Sequence, residues 1–349
     1  MKQSFDDAPI HPLDKGHHTK GSTPYLFVDS CVQIWPDTDY SQLHEYSATA
    51  YCITTFRPND GAENALDAIA NWHRIAADYP GIRIAESAED ITEAKASGQA
   101  AIVINSQGGD FLGPNLQRLA MFHRLGLRMM IPAYNTRSTL ADGLLEPAGA
   151  GLSNLGREWV TACNDLGIVM DMTHVGERSS LEVLSLSEDP VVFSHSNPRA
   201  LVDNVRNVTD EQIRLAAGTG GLVAPTNWGP LNYRLGSDRR PTLSEYIDAI
   251  DYIVELVGID HVGIGTDMSY GTYPDGDLIR GLPGKSLVGG DYARFVEVSP
   301  RSKLRYVEGF DDYSHLPDVI NELEKRGYQQ PDIAKVLGGN WLRIFKEVW

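Results

Sequence analysis

Apolar runs alternate with helical patterns along the chain, from about residue 25 to the C-terminus. Several runs are continuously apolar, as in strands of a parallel sheet that are covered on both faces. Predicted strands are residues 25–32, 48–55, 81–86, 100–105, 128–133, 168–172, 190–193, 221–225 and 261–265. Predicted helices are residues 64–79, 116–125, 154–166, 177–186, 209–217, 242–256, 313–326 and 333–348.

This unbroken series of about eight or nine strand–helix units predicts an α/β fold, a closed (β/α)8 TIM barrel. The barrel is predicted as a single domain over residues 25–349, preceded by an N-terminal arm, residues 1–24. A doubly wound open sheet is the alternative, which the absence of a glycine-rich phosphate loop disfavours. Residues 269–302, rich in Gly, Pro and Asp, interrupt the alternation. We expect a loop insertion there, as part of a lid or a dimer contact.

Composition narrows the partners and the location. The 349 residues carry a formal charge of −17 without a basic block, which argues against nucleic acid and anionic membrane surfaces as partners. Three scattered cysteines are too few for a disulfide framework. The first residues lack the apolar segment of a signal peptide, and no stretch approaches the ~18 apolar residues of a membrane span. These features predict a cytoplasmic protein.

Four polar residues each follow an apolar strand: Gln107, His174, His195 and Asp267. A single histidine at such a position is more often a hydrogen-bonded structural residue, and Asp267 alone could cap a loop or helix. Barrel closure, however, brings the strand ends onto one rim. Two imidazoles and a carboxylate on one rim suit either a Zn²⁺ site or a metal-free acid/base site.

Arg206, in the stretch NVRNVTD, is the cation nearest to this predicted rim. Its guanidinium could hold a substrate carboxylate through two parallel hydrogen bonds. The alternative is a surface arginine that pairs with Asp203 or Asp210. Spacing alone leaves both interpretations open.

Four blocks of the sequence, in fixed order, resemble the membrane (renal) dipeptidase family of metallopeptidases. They are GLSNLGREWVTACNDLGIVMDMTHVGERS, PVVFSHSNPRALVDNVRNVTDEQI, DHVGIGTDMSYG and GGNWLRIFKEVW, and the resemblance runs from about residue 25 to the C-terminus. It implies a (β/α)8 barrel of the amidohydrolase type that forms a homodimer. It also implies two zinc ions, whose bridging hydroxide hydrolyses dipeptides, often with a D-residue on the C-terminal side.

Half of the family's site residues are present. The resemblance makes His174 and His195 metal ligands, with His174 also in the catalytic set. It makes Arg206 the residue that binds the substrate carboxylate, and Asp267 the catalytic proton shuttle. This implies a substrate with a free carboxylate.

The other half departs from the family pattern. Cys31 and Gln33 stand where the first strand has a His-x-Asp pair, and Gln107 replaces the bridging glutamate. The substrate-polarising histidine is absent from IPAYN, where Tyr134 and Asn135 are candidate substrate-binding residues.

A neutral amide binds Zn²⁺ far less well than a carboxylate, so one metal site is expected to be empty. Gln107 is then a weak third ligand beside the two histidines. Cys31 and Gln33 are expected not to bind in the family's way, although Cys31 or Asp267 could supply an anionic ligand. The expectation is zero or one Zn²⁺ per chain.

The sequence thus predicts a dipeptidase-like hydrolase of a small dipeptide or an amide-bearing amino-acid derivative, with at most one catalytic zinc. One alternative is a metal-independent acid/base enzyme that acts on an amino-acid-like substrate. A second is a non-catalytic protein that binds a carboxylate ligand. The presence together of Arg206, Asp267 and both histidines favours an active site.

Overall fold

A parallel sheet forms the centre of the molecule in the computed structural model, which describes residues 23–45, 48–271 and 305–349. The predicted arm lies almost wholly outside these residues, as does most of the predicted insertion. The strands follow the order β7-β6-β5-β4-β2-β1-β8, with β3 paired to β4 beside this path. They are β1 (Val28–Ile34), β2 (Ala50–Thr54), β3 (Ile82–Ile84), β4 (Ala100–Ser106), β5 (Leu127–Met130), β6 (Val169–Asp171), β7 (Val191–Val192) and β8 (Met268–Tyr270).

Two further extended segments close the sheet into a barrel. Residues 221–225 and 261–265 were predicted as strands, and single parallel bridges link Phe193 to Val223 and Val223 to Val262. The backbone N–H of Ser30 in β1 donates to the carbonyl of Ile264, which completes the ring. The predicted (β/α)8 barrel is therefore confirmed, in place of an open sheet.

Strand β8 extends into the segment that the sequence pattern indicated as a loop. Ser269 and Tyr270 fall in the predicted insertion, yet they pair in register with Gln33 and Ile34 of β1. A strand of three residues is too short to show a period of its own. Its position depends on β1, which lies more than 230 residues away in the chain.

Helices cover the outside of the barrel. They are α1 (Ala62–Asp78), α2 (Ala88–Ser97), α3 (Gln117–Arg124), α4 (Asn154–Leu166), α5 (Glu177–Leu186), α6 (Asp210–Gly218), α7 (Gly229–Asn232), α8 (Leu243–Val257), α9 (Leu316–Lys325), α10 (Gln330–Ala334) and α11 (Asn340–Val348). Helix α2 was not predicted, although Ser87 and Asp90 form a capping box at its start. The predicted helix 333–348 is interrupted by a π-helical turn at Lys335–Gly339, where a Cβ on Gly338 would lie 2.5 Å from the Leu26 carbonyl oxygen.

The amino-terminal end of the barrel is closed by apolar packing. Trp341 and Phe345 of α11 join the buried side chains inside the barrel, such as Val103 and Val192. The Trp349 indole donates to the carbonyl of Arg128, which places α11 below the start of β5. The buried polar side chains are thereby left to the opposite, carboxyl end of the strands. Within the described ranges, no helix is both long and apolar enough to cross a membrane.

Candidate active site

The predicted site residues meet at the carboxyl ends of the strands. Gln107 follows β4, His174 follows β6, and His195 follows β7, while Asp267 directly precedes β8. These three strand-end residues, Gln107, His174 and His195, are at most 7% exposed. We call Asn135, His174, His195 and Arg206 the imidazole half of the site. Its neutral counterpart, the amide half, is Gln33, Thr54, Asn105 and Gln107.

The His174 imidazole is held in one orientation and one tautomer. Its Nδ1 donates to Asn135 Oδ1 at 2.7 Å, so Nε2 carries a lone pair. The Tyr134 ring stacks on it with the ring centroids 3.9 Å apart. Tyr134 and Asn135, predicted to bind substrate, thus both contact His174.

The His195 imidazole is oriented by a buried carboxylate acting through a hydroxyl. Ser194 Oγ donates to Asp171, and His195 Nδ1 lies 2.7 Å from the same Oγ. Because the single Ser194 proton is used on Asp171, His195 Nδ1 is the donor to Ser194 and Nε2 carries the lone pair. The Nε2 atoms of His174 and His195 are 3.1 Å apart. Such outer hydrogen bonds are typical of histidines that bind a metal.

Arg206 lies inside the site and not on the surface. It is 5% exposed, and its guanidinium donates to Ser196 Oγ, to the His195 carbonyl and, at 3.0 Å, to His174 Nε2. Burial and the charge of Arg206 hold the pKa of His174 and His195 well below the usual histidine value, so both imidazoles are neutral.

A cavity of about 140 Å³ opens beside this guanidinium. Its lining combines apolar side chains, among them Met172 and Phe193, with polar ones, among them His174, Ser196, Arg206 and Gln212. A concave site with a buried arginine among apolar and polar side chains is a setting in which a small ligand with a carboxylate binds. The alternative that Arg206 is a surface residue paired with Asp203 or Asp210 is therefore excluded.

The amide half is uncharged and has spare hydrogen-bonding capacity. Thr54 and Asn105 are register partners on β2 and β4. Thr54 Oγ1 and both side-chain amide atoms of Asn105 are buried without a hydrogen-bond partner among the residues that the structure describes. An unpaired buried polar atom costs about 1–3 kcal/mol, so these atoms favour a polar occupant.

Cys31 and Asp267 lie between the two halves. The Gln107 amide donates to Cys31 Sγ at 3.0 Å, and the Gln33 amide donates to Asp267 Oδ1 at 2.9 Å. Loss of hydration raises the pKa of Asp267, although Arg305 and Arg206 oppose this. Burial and the nearby Asp267 charge raise the pKa of the Cys31 thiol well above its usual value. The donor atoms of Cys31, His195 and Asp267 all lie within 4.8 Å of one another.

Backbone strain is concentrated at this site. Among the described residues, the non-glycine residues with positive φ are Asn135 at 58°, His174 at 69° and Asp267 at 55°. Each such conformation costs about 1–3 kcal/mol and persists only where its surroundings enforce it. No feature of the sequence marks these three residues as strained.

Two buried carboxylates that sequence reasoning missed support the site from below. Asp29 accepts from the backbone N–H groups of Cys31 and Thr266, and Asp171 from those of Thr173 and Ser194. Each aspartate lies in a largely apolar run of a buried strand, in VDSC and in VMDMT. That was an available signal, because a carboxylate buried in such a run requires hydrogen-bond donors.

A barrel with a polar site at its carboxyl rim, formed from strand-end histidines and a buried arginine, resembles the barrels of the amidohydrolase class. The sequence profile of the family described as membrane dipeptidase (peptidase family M19) matches residues 32–278 and 299–349. The chain therefore belongs to the membrane dipeptidase family, as the sequence blocks predicted.

Individual proteins agree with this assignment. Dipeptidase tcpJ of Claviceps purpurea is 28% identical over a match that covers 76% of this chain and 55% of the relative. Mouse dipeptidase 3 is 27% identical over a match that covers 86% of this chain and 54% of the relative. The matched region thus spans about half the length of these two relatives. Two crystal structures from Pseudomonas aeruginosa superpose over 93% of this chain. The first is an amidohydrolase, with a TM-score of 0.78, 27% sequence identity and 97% of its own chain covered. The second is the probable dipeptidase PvdM, with a TM-score of 0.77, 25% sequence identity and 96% of its own chain covered.

Proposed function

We propose that this protein hydrolyses the amide bond of a small dipeptide or of an amide-bearing amino-acid derivative. The observation that carries the proposal is the placement of the Arg206 guanidinium. It lies 3.0 Å from His174 Nε2 and lines the cavity of about 140 Å³. A substrate carboxylate bound to Arg206 would bring its neighbouring amide to the imidazoles and Asp267.

The donor set fits one divalent cation and not two. Neutral imidazoles, a thiol and a carboxylate are groups that Zn²⁺ binds. In the amide half, Gln33 and Gln107 instead point their N–H groups at Asp267 and Cys31, and neither can balance a second cation. We therefore assign at most one catalytic zinc per chain.

The residues of this chain divide the work of hydrolysis. Arg206 binds and orients the substrate carboxylate, and the imidazoles stay neutral because their pKa values are lowered. Asp267, whose pKa is raised, accepts a proton from the attacking water and passes it to the leaving amine. A bound divalent cation would polarise the scissile carbonyl and activate that water.

A metal-independent acid/base enzyme is the second candidate. It is favoured by the hydrogen bond from Arg206 to His174 Nε2, because that bond uses a lone pair that a cation would otherwise take. In that reaction Asp267 and His195 would act as the acid and base on an amino-acid-like substrate. Full activity after dialysis against a strong chelator would favour this candidate over hydrolysis with zinc.

A substrate panel tests the proposal. We expect turnover of some dipeptides with an L- or D-residue at the C-terminus, measured as release of free amino acid. The same peptides with an amidated C-terminus are the matched controls, and they should lose turnover because Arg206 has no carboxylate to bind. No turnover of any substrate, together with a ligand-induced rise in Tm, would instead indicate a non-catalytic carboxylate-binding protein.

We further propose a cytoplasmic location and a homodimer. Cys31, Cys52 and Cys163 are all free and buried, which agrees with a reducing compartment. Cell fractionation and sizing by light scattering test the two proposals.

A further inference from the structure

The strongest unassigned feature is the cluster of donor atoms between the two halves of the site. Cys31 Sγ, a ring nitrogen of His195 and an Asp267 carboxylate oxygen converge there, and Nε2 is the His195 nitrogen that carries a lone pair. Cys31 and His195 are 0% and 1% exposed, while Asp267 is half-buried. One thiol, one imidazole and one carboxylate form a three-ligand set that leaves a position open, as in catalytic zinc sites.

We propose that one divalent transition-metal cation, Zn²⁺ by preference, binds to Cys31 Sγ, His195 Nε2 and one oxygen of Asp267. This deepens the proposed function, because it specifies the ligands of the single cation assigned there. It also revises three expectations from the sequence. Cys31 becomes a ligand, Gln107 becomes a hydrogen-bond donor to that ligand, and His174 is no longer a ligand.

The sulfur–oxygen distance in the structure matches the proposed coordination. Zinc–sulfur and zinc–oxygen bonds of about 2.3 Å and about 2.1 Å, at a tetrahedral angle, place the two ligand atoms about 3.6 Å apart. Cys31 Sγ and Asp267 Oδ1 are 3.6 Å apart. The other Asp267 oxygen, Oδ2, is left to take up the proton during hydrolysis.

Charge balance favours the same site. A thiolate and a carboxylate together neutralise a divalent cation, so the buried cluster as a whole carries no net charge. A coordinating thiol loses its proton. The Gln107 amide, 3.0 Å from Sγ, then donates to an anionic sulfur.

His174 is the obvious competing ligand, and its surroundings argue against it. Its Nε2 already accepts a hydrogen bond from the Arg206 guanidinium at 3.0 Å. A cation at that atom would lie against a buried positive charge and displace the hydrogen bond. His195 Nε2 has no such donor and is oriented through Ser194 and Asp171. The two histidines therefore have different roles, with His195 on the metal and His174 holding Arg206.

Cobalt spectroscopy of the full-length protein tests the proposal without reference to activity. The metal-free protein is titrated with Co²⁺, and a thiolate ligand produces a near-ultraviolet sulfur-to-cobalt charge-transfer band. We expect this band to saturate at one equivalent and to vanish in Cys31→Ser. The matched control Cys163→Ser changes another fully buried cysteine, one on α4, and should keep the band. Absence of the band in the parent, or its persistence in Cys31→Ser, overturns the proposal.

Affinity measurements cover the case in which Cys31→Ser does not fold. Asp267→Asn should keep the charge-transfer band but weaken Zn²⁺ binding, measured by competition with a chromophoric chelator. We expect the Zn²⁺ affinity of Asp267→Asn to fall about 100-fold or more, which is at least as much as the loss of a residue that only hydrogen-bonds to a ligand. Gln107 is a residue of that second kind, because it donates to Cys31. For Gln107→Leu we therefore expect the Zn²⁺ affinity to fall about 10–100-fold. Unchanged affinity in Asp267→Asn overturns the proposed ligand set.

Failure of this inference is distinguishable from failure of the proposed function. Hydrolysis with a bound cation that lacks a sulfur signature would preserve the function and reject the ligand set. A saturating sulfur–cobalt band in a protein that hydrolyses no member of the substrate panel would preserve the ligand set and reject the function.

Discussion

The two halves of the barrel mouth face each other across Cys31 and Asp267, and they differ in how completely their polar atoms are paired. In the imidazole half, both nitrogens of His174 and Nδ1 of His195 have a hydrogen-bond partner. In the amide half, Thr54 Oγ1 and the side chain of Asn105 have none among the described residues. We infer that the imidazole half is preorganised by the protein, while the amide half is completed by substrate or water.

The supports beneath the two halves are alike, although the groups above them differ. Asp29 and Asp171 each accept the backbone N–H of the residue two positions on, Cys31 and Thr173. Each also accepts a hydroxyl from a neighbouring strand segment, that of Thr266 or of Ser194. Since the two supports are alike, the difference in what the two halves bind comes from the side chains at the strand ends.

The largest expected effect comes from His195. For His195→Ala we expect kcat/KM for the best substrate to fall about 10³-fold or more, because the substitution removes a metal ligand. The control is His261→Ala, which removes a half-buried histidine that contacts the Gly221 carbonyl, at the opposite end of the barrel. Comparable losses in the two variants would show that folding, and not the imidazole half, is being measured.

Arg206→Lys should have the next largest effect. A lysine keeps the charge but cannot make two parallel hydrogen bonds to a carboxylate, so we expect KM to rise about 100-fold while the pH profile keeps its shape. Steady-state kinetics on the free-acid substrate measures this. Arg128→Lys, at a buried arginine that contacts Glu86 at the amino end of β5, is the control and should leave KM unchanged. An unchanged KM in Arg206→Lys would rule out the carboxylate pocket.

Asp29, which accepts a hydrogen bond from the backbone N–H of Cys31, is expected to make the free energy of unfolding depend on pH. Burial raises the pKa of Asp29 from 3.8 to about 6. The folded protein therefore holds this proton where the unfolded chain has lost it. As the pH rises from about 4 to about 6, the free energy of unfolding therefore falls by about 2 to 3 kcal/mol because of Asp29. Asp29→Asn should flatten this part of the profile, measured by urea unfolding at several pH values. Equal slopes in the parent and the variant would contradict the prediction.

The smallest effect is predicted in the amide half, and its sign is informative. Asn105→Leu removes buried amide atoms that have no partner in the described structure, so we expect the free energy of unfolding to rise by about 1 kcal/mol. Asn340→Leu is the matched control, because the Asn340 amide donates to the carbonyls of Ile259 and Val262 and its loss should destabilise. Destabilisation by Asn105→Leu would show that ordered water already satisfies this half.

The sequence predicted the barrel better than it predicted its short elements. Continuous apolar runs located most strands, and helical spacing located most helices, because both signals are local. Strand β8 and helix α2 were missed. The first is short and defined by pairing with distant β1, and the second shows little amphipathicity apart from its Ser87–Asp90 capping box.

For the site, the sequence predicted which side chains meet but not how they are arranged. The strand-end positions of His174 and His195 followed from apolar runs, and the role of Arg206 from family resemblance. The proximity of Cys31 to Asp267 depends on β1 lying beside residues 264–270, a contact between distant parts of the chain. The positive φ at His174 and Asp267 is likewise imposed by tertiary contacts, so no local pattern encodes it.

The number of metal ions in one chain tests the central claim most directly. Isothermal titration of the metal-free, full-length protein with Zn²⁺ should give one high-affinity site per chain, at the charge-balanced ligand set of Cys31, His195 and Asp267. A stoichiometry of two would show that a second site binds a cation as well, either in the amide half or at the cluster of Asp311, Asp312 and His315. No high-affinity binding would show that the imidazole half works without a metal, and either result would contradict the account.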